Sequence, residues 1–102
     1  GDSDYLLGTA ITSLSNKKGR KLTVRWFRDS NAKGYEVQYA TNSKFTKNKK
    51  KKMVYRNTGS VTLKKLKKKK TYYVRVRSYN VTGDGKIVYS GWSTKRKIKI
   101  KR

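Results

Sequence analysis

Lysine dominates the side chains of this sequence that could do chemistry. Unbroken runs at Lys49–Lys52 and Lys67–Lys70 stand among 29 Lys and Arg residues, against five Asp and Glu, for a formal net charge of +24 at pH 7. Dense amines attract phosphate, sulfate and carboxylate groups, and they gain affinity for a polyanion by releasing its counterions. They do not by themselves make a catalyst. Cys and His are absent. No thiol nucleophile, disulfide, thiolate zinc site or iron–sulfur cluster can form, and no imidazole base or His-bound metal is available. The carboxylates are Asp2, Asp4, Asp29, Glu36 and Asp84. A glycosidase needs two that face each other, one of them desolvated, whereas Asp29, Glu36 and Asp84 each have basic or loop-like neighbours. Asp84 alone, in Gly83-Asp84-Gly85, cannot furnish a calcium loop. Serines beside 21 lysines make a chance Ser–Lys proximity more probable than a dyad. The composition therefore describes a protein that is not an enzyme and carries no metal or cofactor.

The elements that hold these lysines must come from one small core, since 102 residues make a single domain the default. No stretch approaches the roughly 20 apolar residues of a bilayer span, and the first residues lack the pattern of a signal peptide. Low hydrophobic content, 33%, with high net charge normally warns of disorder. Eight Tyr, two Trp and two Phe contradict the warning because they sit in alternating runs. The lack of Cys fits a cytosolic protein and equally a Gram-positive surface protein, and it argues against a disulfide-stapled miniprotein.

Four segments alternate apolar and polar with period two, the mark of strands buried on one face. They are Lys21–Trp26, Tyr35–Tyr39, Tyr72–Ser78 and Lys97–Lys101. Shorter candidates are Ala10–Leu14, Met53–Arg56, Ser60–Leu63 and Ile87–Tyr89, the last after a glycine turn. No window keeps a 3.6-residue period beyond two turns, so no substantial helix is expected. Seven or eight short strands with regular turns read as a two-sheet antiparallel sandwich. Its inner faces would take Ile11, Leu14, Leu22, Val24, Trp26, Tyr35, Val37, Tyr39, Val54, Val61, Leu63, Leu66, Tyr72, Val74, Val76 and Ile98. Tyr73, Arg75, Arg77 and Tyr79 would form an outward aromatic–basic ladder, with Trp92 covering the sheet and stacked on an arginine.

In Leu66-Lys67-Lys68-Lys69-Lys70-Thr71-Tyr72-Tyr73-Val74-Arg75-Val76-Arg77-Ser78 a Leu precedes a Tyr by six residues and an apolar–basic alternation follows. This run resembles the E–F corner and F strand of fibronectin type III domains. Gly34–Tyr39 is similar to that family's C strand, Trp26 to its buried B-strand Trp, and Tyr89-Ser90-Gly91-Trp92-Ser93 to the start of its last strand in bacterial members. The likeness covers residues 9–101 and leaves 1–8 as a linker or added tail, or as a segment packing Tyr5, Leu6 and Leu7 on the B–C end. It implies an all-β, seven-stranded sandwich of immunoglobulin-like topology, with Trp26, Leu66 and Tyr72 structural and the Tyr72 hydroxyl bonded to backbone near Leu66. Where the family often has Pro-Gly, Lys68 and Lys69 stand here, so a looser E–F turn is expected. The Lys-rich style resembles modules of secreted or wall-attached proteins of Gram-positive bacteria.

That topology gathers the A–B, C–C′ and E–F loops and the C-terminus at one end, with more than half of the 29 cations. Asp29 and Asp84 fall at the other end, with Asp2 and Asp4 on the tail nearby. Candidate polyanion-binding residues are Lys17, Lys18, Lys49, Lys50, Lys51, Lys52, Lys67, Lys68, Lys69 and Lys70. Two functions compete. One is a non-catalytic extracellular or wall-associated spacer or adhesion module whose solvated lysines guard strand edges. The other is a module docking teichoic acid, acidic glycan or nonspecific nucleic acid on the Lys-rich pole. Expected partners are neighbouring domains of the same chain, a host protein or an acidic glycan of wall or host. No specific nucleic-acid motif and no membrane insertion are expected, and the module is expected to be monomeric.

Overall fold

The structure, a computed structural model, describes residues 5–102; Asp2 and Asp4 lie outside the described residues. Eight strands run in chain order: β1 (Ile11–Lys17), β2 (Lys21–Trp26), β3 (Gly34–Ala40), β4 (Lys50–Val54), β5 (Ser60–Leu63), β6 (Thr71–Val81), β7 (Ile87–Tyr89) and β8 (Arg96–Lys99). β1, β2 and β5 make one sheet. β4, β3 and β6 make the other, with β7 and β8 both paired to the far side of β6. Every pairing is antiparallel. No helix occurs among the described residues.

The last strand of the seven-stranded topology is split into β7 and β8, at the two separate runs the sequence shows. β7 pairs with Tyr79–Val81 and β8 with Thr71–Val74. Between them, Ser90 N donates to Ser78 O at 2.9 Å and Ser93 N to Val76 O at 2.8 Å. The Ser90 and Ser93 hydroxyls accept the Ser78 and Val76 N–H groups at 2.9 and 3.0 Å. Hydroxyls thus stand in for missing ladder carbonyls, so no β6 amide is orphaned at the break.

Alternation produces the core. Leu22, Val24 and Trp26 face Tyr35, Val37, Val74 and Val76, all buried. Trp26 and Tyr35 are tilted rings with centroids 5.1 Å apart. Leu14, Val61 and Ile98 are only partly buried, and Ile100, which the inner-face set omits, is fully buried instead of Ile98. The two isoleucines share a face, but Ile100 lies under the turn before β6, held by Lys69 N to Ile100 O at 2.6 Å and Ile100 N to Lys70 O at 2.9 Å. Tyr79 keeps its place on the outward face but is covered there. It is 5% exposed because Gly34 lies opposite it in register. A Cβ on Gly34 would sit 2.7 Å from the Tyr79 ring and overlap the Val54 carbonyl.

A buried carboxylate organises the pole away from the lysines. Asp29 is 1% exposed. It accepts Leu7 N at 2.8 Å, Gly8 N at 3.0 Å, Asn31 N at 3.0 Å and Ser78 Oγ at 2.9 Å. The Tyr35 hydroxyl accepts Asp29 N at 2.7 Å and donates to Asn57 Oδ1 at 2.6 Å, while Asn57 Nδ2 donates to Asp29 O at 2.8 Å. Burial pushes the Tyr35 phenol above its ordinary pKa of 10.0, which keeps it a donor. The segment before β1 is therefore fastened to the sandwich: Leu6 packs on the core, and Asn31 Nδ2 donates to Tyr5 O at 2.6 Å.

Asp29→Ala leaves four donors facing a void. Unsatisfied buried donors cost about 1–3 kcal/mol each before relaxation, so a loss of at least about 3 kcal/mol is expected. Urea denaturation should show a lower midpoint at unchanged slope, with Asp29→Asn between the two; an unmoved midpoint for Asp29→Ala would remove the clasp.

Candidate functional site

The basic pole is built from three connections and the C-terminus. The β1–β2 turn holds Lys18, Gly19 and Arg20, and Arg20 N donates to Arg102 O at 3.0 Å. Leu66 N donates to Arg20 O at 3.2 Å. The Asn16 Oδ1 accepts Lys101 N at 2.7 Å and Arg102 N at 3.0 Å. The Tyr72 hydroxyl accepts Lys67 N at 2.9 Å, so the β5–β6 connection closes on its own corner while its lysine side chains splay outward. Lys17, Lys18, Lys67, Lys68, Lys69 and Lys70 are all exposed. Lys18, Arg20, Lys68 and Arg102 line one open cleft that contains no Asp or Glu side chain.

The turn before β6 is tight, not loose. Lys69, at the place where glycine would be easiest, adopts φ 68°, and Lys65 adopts φ 59°. Among the described residues, five non-glycine positions have positive φ, and three of them are cations of this pole: Arg20, Lys65 and Lys69. Left-handed backbone costs an L-residue roughly 1–2 kcal/mol, so these cations stand where a glycine is cheaper.

The structure divides the other lysine run. Lys50, Lys51 and Lys52 are not in the loop with Lys44 and Lys47; they begin edge strand β4. Register places Lys50 opposite Tyr39, Lys51 opposite Gln38 and Lys52 opposite Val37. Lys50 and Lys52 therefore lie on the core-facing side of a free edge, where charge blocks pairing with another strand. Lys50 joins Lys65 and Lys67 around a small pocket floored by Tyr39 and Tyr72. Lys49 and Lys51 belong to the outer face, beside Glu36 and Gln38. The alternation rule that marked Met53 and Val54 as strand could have been extended back through the lysines, but a run of one residue type carries no period.

The outer face of the β4–β3–β6 sheet is a stack. The Arg75 guanidinium lies 4.2 Å from the Phe45 ring and 4.3 Å from Trp92; that of Arg77 lies 4.2 Å from Trp92 and 3.7 Å from Tyr89. Each arginine is also held within the sheet. Arg75 Nε donates to Gln38 Oε1 at 2.6 Å, and Arg77 Nε and Nη2 donate to Glu36 Oε1 at 3.0 and 2.7 Å. Burial, then the neighbouring Arg77 charge, lowers the Arg75 pKa below its ordinary value. Each guanidinium is stacked between two rings and held by a hydrogen bond within the sheet, so this ladder is a brace across the β7–β8 break. At the far pole, the Thr82 hydroxyl holds the exposed Asp84 carboxyl below its ordinary pKa of 3.8.

The family model for "Fibronectin type III domain" matches residues 10–95. The chain belongs to the fibronectin type III family. Among solved structures, the fold is similar to the third fibronectin III domain of human KIAA0343 protein, with TM-score 0.64, 17% identity and coverage of 90% of this chain and 81% of that one. It is equally similar to a structure described as a myokine, with TM-score 0.64, 19% identity and coverage of 91% and 97%. No curated protein matches in sequence. At these identities the neighbours share this domain's fold and nothing finer.

Trp92→Ala removes two guanidinium contacts worth about 1 kcal/mol each and should lower the urea midpoint accordingly, while Trp92→Phe retains part of the stack. Equal midpoints for both would place the brace elsewhere. Lys69→Gly should raise stability by about 1 kcal/mol by relieving left-handed strain, and Lys68→Gly should not; a destabilised Lys69→Gly domain contradicts the strain.

Proposed function

We propose that this fibronectin type III domain is a non-catalytic spacer and interaction module of a larger extracellular, wall-associated bacterial protein. The observation that carries this is the placement of its two ends. The chain enters at the pole of the Asp29 clasp, through Leu7 and Gly8, and leaves beside the β1–β2 turn, through Arg102 and Asn16. Both ends are hydrogen-bonded to the body of a particle 46 × 23 × 20 Å. A chain continuing past either end would have its direction set by the domain, as a spacer requires. The likeness of the Lys-rich sequence to Gram-positive surface modules supports the extracellular setting.

One observation favours a second role, the docking of an acidic polymer. Of the described carboxylates, Asp29 and Glu36 are buried and Asp84 pairs with Lys86 at 3.9 Å. None neutralises the pole, and three of its cations occupy strained backbone.

The two roles separate in one assay. Retention on immobilised poly(glycerol phosphate) is measured against salt for the parent domain and for variants with Lys49–Lys52 or Lys67–Lys70 changed to Gln. Docking predicts retention that fades between about 50 and 200 mM salt and earlier elution of both variants. Equal elution of parent and variants leaves the spacer alone.

A further inference from the structure

The pocket between β4 and the β5–β6 connection is more than part of a charged surface. It encloses about 130 Å³, against about 30 Å³ for one water in the liquid. A tetrahedral oxyanion fits that space. Its floor is two phenols whose rings lie 6.3 Å apart. Tyr39 is 9% exposed and Tyr72 4%. The Tyr72 oxygen accepts Lys67 N–H at 2.9 Å, which leaves its own hydrogen without an acceptor among the described residues. The Tyr39 hydroxyl makes no hydrogen bond to any described residue. Burial first, and the nearness of Tyr72 second, push the Tyr39 pKa up from 10.0, so it is a donor at neutral pH. Lys50, Lys65 and Lys67 form the rim with Asn48. No carboxylate lines the pocket. Asn48 at φ 51° and Lys65 at φ 59° hold its two sides in left-handed backbone, a conformation that concentrates at functional sites.

Two phenols, three amines and no lining carboxylate make a pocket complementary to an anion. We propose that this pocket seats a single phosphate or sulfate group, with Tyr39 and Tyr72 donating to its oxygens and Lys50, Lys65 and Lys67 balancing its charge. In a polymer that group is one link or substituent of the chain that the surrounding lysines track. The proposal rests on the acidic-polymer role above and narrows it to one seat. Lysine alone is a hydrated point charge with little geometric preference; the fixed phenols supply the geometry.

The test titrates inorganic phosphate, and separately sulfate, into the whole chain at constant ionic strength set by chloride, following amide shifts. Saturable shifts at Asn48 and at Lys65–Lys67 are expected. Tyr39→Phe removes one donor and no protein hydrogen bond, so it should weaken binding about tenfold with an unchanged urea midpoint. Lys50→Gln with Lys65→Gln should weaken it further, whereas Lys18→Gln with Lys68→Gln, in the neighbouring cleft, should not. Linear shifts, or affinity untouched by Tyr39→Phe, overturn the seat. Poly(glycerol phosphate) and heparin columns then name the source: stronger dependence on Tyr39 for the first marks a phosphodiester, for the second a sulfate ester. Retention of either polymer that is indifferent to Tyr39→Phe, without saturable ion binding, sinks the seat and leaves the basic pole standing. No retention of either polymer sinks both.

Discussion

Strand β6 is the constraint on which the rest depends. Eleven residues, Thr71–Val81, pair with β3 on one side and with both β7 and β8 on the other. Successive side chains must point to opposite faces. Tyr72, Val74, Val76 and Ser78 therefore enter the sandwich, and Tyr73, Arg75 and Arg77 leave it. Each inward residue has a separate duty. Tyr72 closes the corner on Lys67, Val74 and Val76 fill the seam, and Ser78 reaches Asp29. A slip of one residue would exchange the faces and put guanidinium groups where apolar packing is needed. One strand thereby fixes the corner of the basic pole, the brace on the outer sheet and the clasp at the opposite pole.

The charge balance imposes a second condition. Like charges repel within a Debye length of about 8–10 Å, and this domain does little to compensate them. Its two buried carboxylates serve internal structure. Glu36 orients Arg77, and Asp29 satisfies amides with no cation within 4 Å among the described residues. A buried carboxylate accepting several N–H and O–H groups is neutralised by dipoles instead of by an opposite charge. That explains how so basic a chain can spare its few acids for the interior. It also leaves the exposed lysines free, at turns and on the β4 edge, where solvent screens them best.

Much of this was legible in the residues. Period two located β2, β3, β6 and β8, the shorter runs overlapped β1, β4, β5 and β7, and the spacing from Leu66 to Tyr72 located the corner, because local sterics and burial act over a few residues. What was not legible involves partners far apart in the chain. Ile100 is buried in place of Ile98 because the turn at Lys69–Lys70 covers it, and that cover comes from elsewhere in the sequence. Tyr79 is buried on the outer face because Gly34 opposite lacks a side chain. Lys50–Lys52 look like loop because a homopolymeric run has no alternation to read, although register with Tyr39–Val37 makes them strand. Asp29 has no sequence signature at all. Its partners Leu7, Gly8 and Ser78 lie 22, 21 and 49 residues away. The pocket between β4 and the β5–β6 connection is hidden for a related reason: alternation marks Tyr39 as core and is silent on where its hydroxyl ends.

The separation of aromatic surface from charge limits what the pole can recognise. The large apolar side chains exposed among the described residues are Tyr5, Leu7, Phe27, Tyr55 and Ile87–Tyr89, on the far pole or the upper part of the outer sheet. At the lysine end the rings of Phe45, Tyr39 and Tyr72 are buried. Binding of single-stranded nucleic acid relies on bases stacking on exposed rings, worth about 1–3 kcal/mol per base, and this end offers no such platform. Under the proposed docking role, a polymer following these lysines would be read through its anionic groups and their spacing, with its bases or sugar faces left in solvent. Discrimination among polyanions would then have to come from whatever fixed donors the pole possesses, and the Tyr39 and Tyr72 phenols are the ones the fold holds in place.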